Sequence, residues 1–532
     1  MVDGSSAEPG PPAVTGASGP AGAGSAVDSR AWQAHLPAGA DPDALDLLAE
    51  GSLPRAFAAR WAAAPDAPLL HDGEHGWRTA ADVERATAQV AATLAARGLH
   101  KGERVVLCMR TSAQFVDVYL GALRLGMVVV LLNPQCSEAE ARHIAADSDP
   151  AAAVAEDAQR GEWIASGAPN LRALLDATHM PLKDAQQSAP QLDTAVPPDP
   201  ALLMYTSGTT GTPKGALLSH ANLLAGAAAL RLAWRWTERD RLILALPLFH
   251  AHGLAVGLNG TLLSGAQAVL LPRFDSAAVL DAAQAHGATL FFGVPTMYAR
   301  LAADPRAHQL ARLRLCVSGS APLAAALHER IEAATGQRIL ERYGMTETLM
   351  IASNPHDGDR RPGSVGLPLP GVELRMSDGQ RGEILVRGPN VFGGYWRNPE
   401  ATQSVLDSDG WFHTGDVGEL DEAGYLRIAG RTRELIITGG YNVYPREVED
   451  ALSAHPWVAE AAVVGRQDDE WGEVVTAYVV ATDARLDADT ITSHARERLA
   501  PYKVPRQVHF VQTLPRNALG KIVKQQLKDS PS

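Results

Sequence analysis

Cysteine is nearly absent: Cys108, Cys136 and Cys316 are the three in 532 residues, with no CxxC pair and no spacing suited to bridging. That scarcity excludes a disulfide-stapled fold and points to a reducing, cytoplasmic compartment. Excess positive charge is absent too. With 47 Lys and Arg against 60 Asp and Glu the net charge is −13, the wrong sign for a protein whose main affinity is for phosphate backbones, so no nucleic-acid partner is expected. No Lys or Arg precedes Arg30, whereas secretory and organellar leaders need early positive charge. The Gly/Ala/Ser/Pro-rich residues 1–30 are read as a disordered tail. Charge is missing altogether from Leu242 to Pro272, but His250, His252, Asn259, Gln267 and several glycines interrupt that run. Buried strand and helix inside a core explain it better than a membrane span, and no membrane insertion is expected. No internal repeat is evident.

What is present is ordinary globular material, 46% hydrophobic and 20% charged, enough to bury large cores without metals or bridges. Short apolar runs (Arg104 to Cys108, Met127 to Leu132, Ala288 to Phe292) alternate with helical stretches (Ala80 to Arg97, Ser112 to Leu125). This rhythm predicts βαβ units around mainly parallel sheets, an α/β fold. After about residue 365 the texture turns to Gly-punctuated strands such as Gly382 to Gly388 and Gly424 to Gly430, a small β-rich subdomain. Arg433 to Ser532 carries its own pattern. Tyr444-Pro445 runs into an amphipathic helix through Leu452, and Val474 to Ala481 reads as a strand. The predicted organisation is a large N-terminal domain over 31–432 and a small, mobile α+β C-terminal domain over 433–532.

The segment Tyr205-Thr-Ser-Gly-Thr-Thr-Gly-Thr-Pro-Lys-Gly215 holds three glycines, five hydroxyls and Lys214. Such a composition lets backbone, hydroxyls and a mobile cation close on a triphosphate. It is not the Walker spacing, and Gly215 stands where that pattern needs a hydroxyl. Tyr205 to Gly215 resembles the signature loop of the adenylate-forming superfamily: acyl-CoA synthetases, peptide-synthetase adenylation domains and luciferases. Further segments are similar to that family in the same order: Leu246-Pro-Leu-Phe-His250, Tyr343-Gly-Met-Thr-Glu347, Trp411-Phe-His-Thr-Gly-Asp416, Gly430-Arg-Thr-Arg-Glu-Leu-Ile-Ile437 and Pro515-Arg-Asn-Ala-Leu-Gly-Lys521. Together they span nearly all the chain beyond the tail.

The resemblance implies an AMP-forming acid–thiol ligase using ATP, Mg2+ and coenzyme A. Lys521 matches the catalytic lysine that bridges carboxylate and α-phosphate, Thr346 a hydroxyl on the α-phosphate, and His250 a gate between nucleotide and acyl pockets. Thr206, Ser207, Gly208, Thr209, Thr210, Gly211 and Lys214 are expected around the phosphates. Tyr343 is expected on adenine, with Ser318, Gly319, Ser320, Ala321, Pro322, Glu341, Gly344 and Met345 beside it. Asp416 matches the acid that takes the ribose hydroxyls, Arg431 a ribose and phosphate contact, and Glu347 the magnesium carboxylate, one protein carboxylate being enough for Mg2+. Arg433 matches a domain hinge, and Gly439 and Gly440 would face the pantetheine. His250 and His252, two apart, would share one face of a strand, but no third ligand at zinc spacing follows.

Many relatives that activate hydrophobic acids carry a small residue where this chain has Arg342, adjoining the acyl pocket. A guanidinium there would be left unpaired by an alkyl tail, at roughly 3–5 kcal/mol, and satisfied by a second carboxylate through charge-assisted hydrogen bonds. The expected substrate is malonate or methylmalonate, and Glu341 to Thr348 with Ser353 to Arg360 resembles the malonyl-CoA synthetase branch, within fatty acid metabolism. Arg273 is a second candidate for the distal carboxylate, and Met345 would border the middle carbon. Two alternatives stay open: another short carboxylic acid, or a stand-alone adenylation enzyme that loads a separate carrier protein. No obligatory protein partner is implied.

Overall fold

The computed structural model describes residues 29–73, 75–180, 190–206, 213–516 and 521–529. Among them the expected α/β rhythm holds. A six-stranded sheet runs in the order Ala173–Asp176, Ala152–Ala155, Arg104–Cys108, Val128–Leu131, Pro200–Thr206, Lys214–Ser219. Its first five strands are parallel and the last is antiparallel. Val105, Val106, Leu107, Val129 and Val130 are all fully buried, as expected of strands covered on both faces by helices. Those helices start on side-chain caps. Thr79 and Asp82 form a capping box for Ala80–Ala95, and Ser112 caps Ala113–Arg124, each satisfying a donor that a helix start leaves unpaired.

A nine-stranded sheet carries the rest of the large domain. Leu340–Met345, Leu315–Ser318, Leu290–Gly293, Arg241–Leu244, Gln267–Leu270 and Pro68–Asp72 lie side by side in parallel. Antiparallel strands close both edges: Leu349–Ser353 and Leu367–Pro368 on one, Gly76–Thr79 on the other. The β-rich subdomain is an antiparallel sheet of Glu373–Asp378, Arg381–Arg387, Phe412–Leu420 and Leu426–Arg431. The last sheet joins Tyr441–Val443, Ile436–Thr438, Gly472–Ala481 and Val458–Asp468, with Gln507–Phe510 parallel to Gly472–Ala481. The helix Pro445–Ser453 packs on it with its own core of Val448, Leu452, Val463 and Val475. Residues 1–28 of the expected tail lie outside the described residues; Ser29 and Arg30 already belong to the 3-10 segment Ser29–His35.

The uncharged run from Leu242 to Pro272 is buried strand and helix, as expected: Arg241–Leu244, a π-helix His252–Leu258, an α-helix Asn259–Ser264 and Gln267–Leu270. Among the described residues no helix is long and apolar enough to cross a membrane. His250 and His252 do not share a strand face. The strand ends at Leu244 and His252 opens the π-helix, because Leu254 N–H already donates back to the His250 carbonyl at 2.9 Å. That helix sits tightly on the preceding turn: a Cβ on Gly253 would lie 2.2 Å from the Pro247 carbonyl oxygen and 3.0 Å from that of Leu246. Gly253→Ala is therefore expected to cost about 1–3 kcal/mol by overpacking against backbone and to lower the thermal midpoint by several degrees in calorimetry. An unchanged midpoint would mean that the turn can move aside.

Candidate active site

Three loops leave the carboxyl ends of parallel strands in the nine-stranded sheet, where α/β sheets place their ligands. Residues 245–251 follow Arg241–Leu244, residues 319–323 follow Leu315–Ser318, and the turn Thr346-Glu347-Thr348 follows Leu340–Met345.

The expected phosphate loop joins two paired strands. Tyr205 pairs with Gly215 and Thr206 with Lys214, and the Thr206 hydroxyl reaches the Lys214 carbonyl at 3.5 Å. Ser207, Gly208, Thr209, Thr210 and Gly211 lie outside the described residues. The strand pair docks on residues 394–396: Trp396 N–H donates to the Gly215 carbonyl (2.7 Å) and Leu217 N–H to that of Gly394 (3.1 Å). Lys214 Nζ lies 5.5 Å from the centre of the Tyr395 ring, and the Tyr395 hydroxyl donates to Glu347 Oε1 at 3.0 Å. Tyr395 thus ties the phosphate segment to Glu347. Sequence reasoning missed this tyrosine, whose one local signal is the Gly393-Gly394 pair before it. Glu347 is buried, and that burial raises its carboxyl pKa despite the Tyr395 hydrogen bond. A desolvated carboxylate with acceptor capacity beyond that one bond, next to Thr346, fits a Mg2+ ion held mainly by phosphate oxygens.

Asp416 and Arg431 are direct partners across the antiparallel subdomain sheet. Arg431 Nε lies 3.0 Å from Asp416 Oδ1, and the Tyr343 hydroxyl donates to Oδ2 at 2.6 Å. A carboxylate offers about four acceptor sites, so buried Asp416 keeps capacity for further hydroxyls. Lys521 comes to the same place from the C-terminal domain. Arg516 bridges to Ile522, and Val523 N–H donates to the Pro515 carbonyl, which fixes the backbone on both sides of Lys521 within the C-terminal domain. Lys524 is clamped by Glu434 (3.0 Å) and Glu449 (2.8 Å). The Lys521 side chain keeps contact with solvent yet is crowded by protein. Desolvation, then the charge of Arg431, lower its ammonium pKa to about 8.

Arg342 is 4% exposed, and its Nε and Nη2 are buried with no hydrogen-bond partner among the described residues. Burial lowers its pKa to about 9, so it remains charged at neutral pH. Its guanidinium lies against Gly319, whose Cβ, if present, would sit 2.3 Å from Arg342 Cζ. His252 Nδ1 is 3.1 Å from the Ser320 hydroxyl. The Nε2 atoms of His250 and His252 and the Ser318 hydroxyl are likewise buried and unpartnered among the described residues. Burial depresses the His250 pKa to about 4, and burial, then Arg342 and His250, depress that of His252 well below the ordinary imidazole value, so both imidazoles are neutral. Arg273, the second candidate for the distal carboxylate, is instead exposed in the turn before the helix Ser276–His286, and among the described residues no hydrogen bond or ion pair joins it to this cluster. Met345, Gly344 and Tyr343 are half-buried along the same strand. Ala321 and Pro322 complete the loop that Glu341 holds from the opposite strand face, where Leu323 N–H donates to Glu341 Oε1 at 2.9 Å. Arg433 is exposed in the one-turn helix Thr432–Glu434, and Gly439 and Gly440 form the positive-φ turn between Ile436–Thr438 and Tyr441–Val443.

A family described as AMP-binding enzyme matches residues 57–396, and the AMP-binding enzyme C-terminal domain matches 447–521. A sulfoacetate–CoA ligase of Cupriavidus necator is 38% identical over 92% of this chain and 98% of its own length. A feruloyl-CoA synthase of an Amycolatopsis species is 38% identical over 85% and 93%, and a malonate–CoA ligase of Arabidopsis thaliana 36% over 81% and 79%. The crystal structure of ATP-bound MatB from Rhodopseudomonas palustris superposes with a TM-score of 0.83 at 40% identity, covering 90% of this chain and 98% of that one.

Glu341 supplies a pH test. Burial raises its carboxyl pKa to about 7 from an ordinary 4.5. Between those values the folded protein binds more protons than the unfolded chain, so this group's contribution to stability falls as pH rises from about 4.5 to 7. Glu341→Gln keeps an acceptor for Leu323 N–H without the charge. Denaturation at pH 8 should find the variant more stable by on the order of 2–3 kcal/mol, with the difference shrinking towards pH 5. A pH-independent difference would contradict the assigned burial cost.

Proposed function

The chain belongs to the AMP-binding enzyme family, as a ligase acting on acids and coenzyme A, and from that premise we propose that its acid is small and carries a second anionic group, malonate first of all. The observation that carries this reading is the buried guanidinium of Arg342, unpartnered among the described residues. Leaving such a charge unpaired beside an alkyl tail costs about 3–5 kcal/mol, whereas a second carboxylate satisfies it. Relatives named for malonate and for sulfoacetate support it, since both acids are acetates with an anion on the second carbon. Methylmalonate adds one methyl group, which half-buried Met345 would border. The feruloyl relative, at the same identity as the sulfoacetate one, favours a bulkier acid, and the acid comparison below decides between them.

In this reading one malonate oxygen attacks the α-phosphorus of ATP, the bond to pyrophosphate breaks, and malonyl-AMP forms. Lys521 lies between the carboxylate and the α-phosphate, with Thr346 on the same phosphate and His250 as the wall between nucleotide and acid. Lys214 and residues 206–211 hold the β- and γ-phosphates, Tyr343 stacks on adenine, and Asp416 with Arg431 takes the ribose. Mg2+, when bound at Glu347, withdraws charge from the phosphates. The coenzyme A thiol then attacks the acyl carbon, AMP leaves, and the thiol proton passes to water. Rotation of residues 433–532 about Arg433 would bring Gly439 and Gly440 towards the pantetheine. The setting is cytoplasmic, with small-molecule substrates and no obligatory protein partner; loading of a carrier protein is the alternative.

Pyrophosphate release should show kcat/KM for malonate at least about a hundredfold above that for acetate or octanoate, and Arg342→Gly should remove about that factor. Equal turnover of octanoate or ferulate by the unaltered enzyme would withdraw the diacid. Lys521→Ala should nearly abolish adenylation yet leave thioester formation from supplied malonyl-AMP largely intact. Equal loss of both half-reactions would contradict the role given to Lys521.

A further inference from the structure

Arg342 alone does not account for the unsatisfied groups around it. His252 is 6% exposed and its Nε2 has no partner among the described residues. Ser320, which faces its other nitrogen, holds φ at +67°, a left-handed conformation that a non-glycine residue adopts at a cost and keeps only when its surroundings enforce it. That backbone turns the hydroxyl to within 3.1 Å of Nδ1. A hydroxyl proton given to Nδ1 leaves the ring proton on Nε2, which makes the orphaned atom a donor. A buried donor without an acceptor is costly, and one beside a bare guanidinium calls for an anion.

Gly319 contributes differently. Its φ is not in the left-handed region, so no turn geometry demands glycine there. A Cβ would instead meet Arg342 at 2.3 Å from both Cζ and Nε and 2.8 Å from Nη1, and Gly319 N–H is tied to the Gly293 carbonyl at 3.3 Å, which holds the loop in place beneath the guanidinium.

We propose that His252, oriented by Ser320, is a second donor to the distal anion of the substrate, and that Gly319 is the seat that positions Arg342 for the same anion. This deepens and rests on the reading of a diacid substrate. Arg342 donates through Nε–H and Nη2–H to the distal carboxylate, and His252 Nε2–H donates to one of its oxygens. A neutral imidazole adds a donor without repelling the guanidinium when the site is empty.

The test compares kcat/KM for malonate with that for propionate, which has the same skeleton without the second anion, in the full-length enzyme. His252→Ala should lower the malonate-to-propionate ratio about ten- to hundredfold, the worth of a hydrogen bond to a charged group, mainly through KM. His252→Gln, whose side-chain amide reaches the Nε2 position, should restore part of it. Ser320→Ala should lower the ratio less, and Gly319→Ala should approach the loss seen in Arg342→Gly. Retained ATP-dependent thermal stabilisation confirms folding of each variant. The proposal is overturned if His252→Ala lowers both acids equally, or if Gly319→Ala leaves the ratio unchanged. A different result, no preference for malonate in the unaltered enzyme, would remove the diacid reading itself.

Discussion

A charge taken out of water needs a partner, and for Arg342, midway along the Leu340–Met345 strand, the described residues supply none to Nε or Nη2. The Arg342 side chain is nearly fully buried with Nε and Nη2 bonded to no described residue, though several kcal/mol of desolvation work against it. Its neighbours do not relieve it: Glu341 projects from the opposite face of the strand to Leu323, and both nearby imidazoles are neutral. A protein that holds such a group in place carries a local instability, a common exchange of stability for function.

The surrounding architecture makes that instability tolerable. Parallel strands buried on both faces fix the loops at their carboxyl ends, and each loop is tied again by a side chain from elsewhere: Thr111 accepts from Leu248 N–H, Glu341 from Leu323 N–H, and Tyr395 donates to Glu347. The C-terminal domain brings Lys521 to the Asp416 and Arg431 end, where lowered basicity reflects partial desolvation among like charges. Tyr343 and Arg342 are adjacent along one strand, Leu340–Met345, yet reach different neighbours: the Tyr343 hydroxyl bonds Asp416, and the Arg342 guanidinium lies against Gly319.

Much of this was legible in the sequence for a simple reason: strands buried on both faces are continuous apolar runs, and helix caps are local. Arg104–Cys108, Ala80–Ala95 and the β-rich subdomain appear as expected. The contacts of Asp416 with Tyr343 and Arg431 were not legible: they join motifs that are separate in the chain. What the sequence concealed is non-local. His250 and His252 look like one strand face, but a helical turn begins between them. The partner of His252 is 68 residues away, and the reason for glycine at 319 lies in a side chain far along the chain, that of Arg342. Arg273, next to a phenylalanine in the sequence, is on the surface.

The most direct measurement is a crystal structure of the enzyme with malonate and a non-hydrolysable ATP analogue. The account predicts the distal carboxylate at about 3 Å from Arg342 Nε and Nη2, with His252 Nε2 on one of its oxygens. A distal carboxylate placed elsewhere, with Arg342 facing solvent or neutralised by a protein carboxylate, would contradict it.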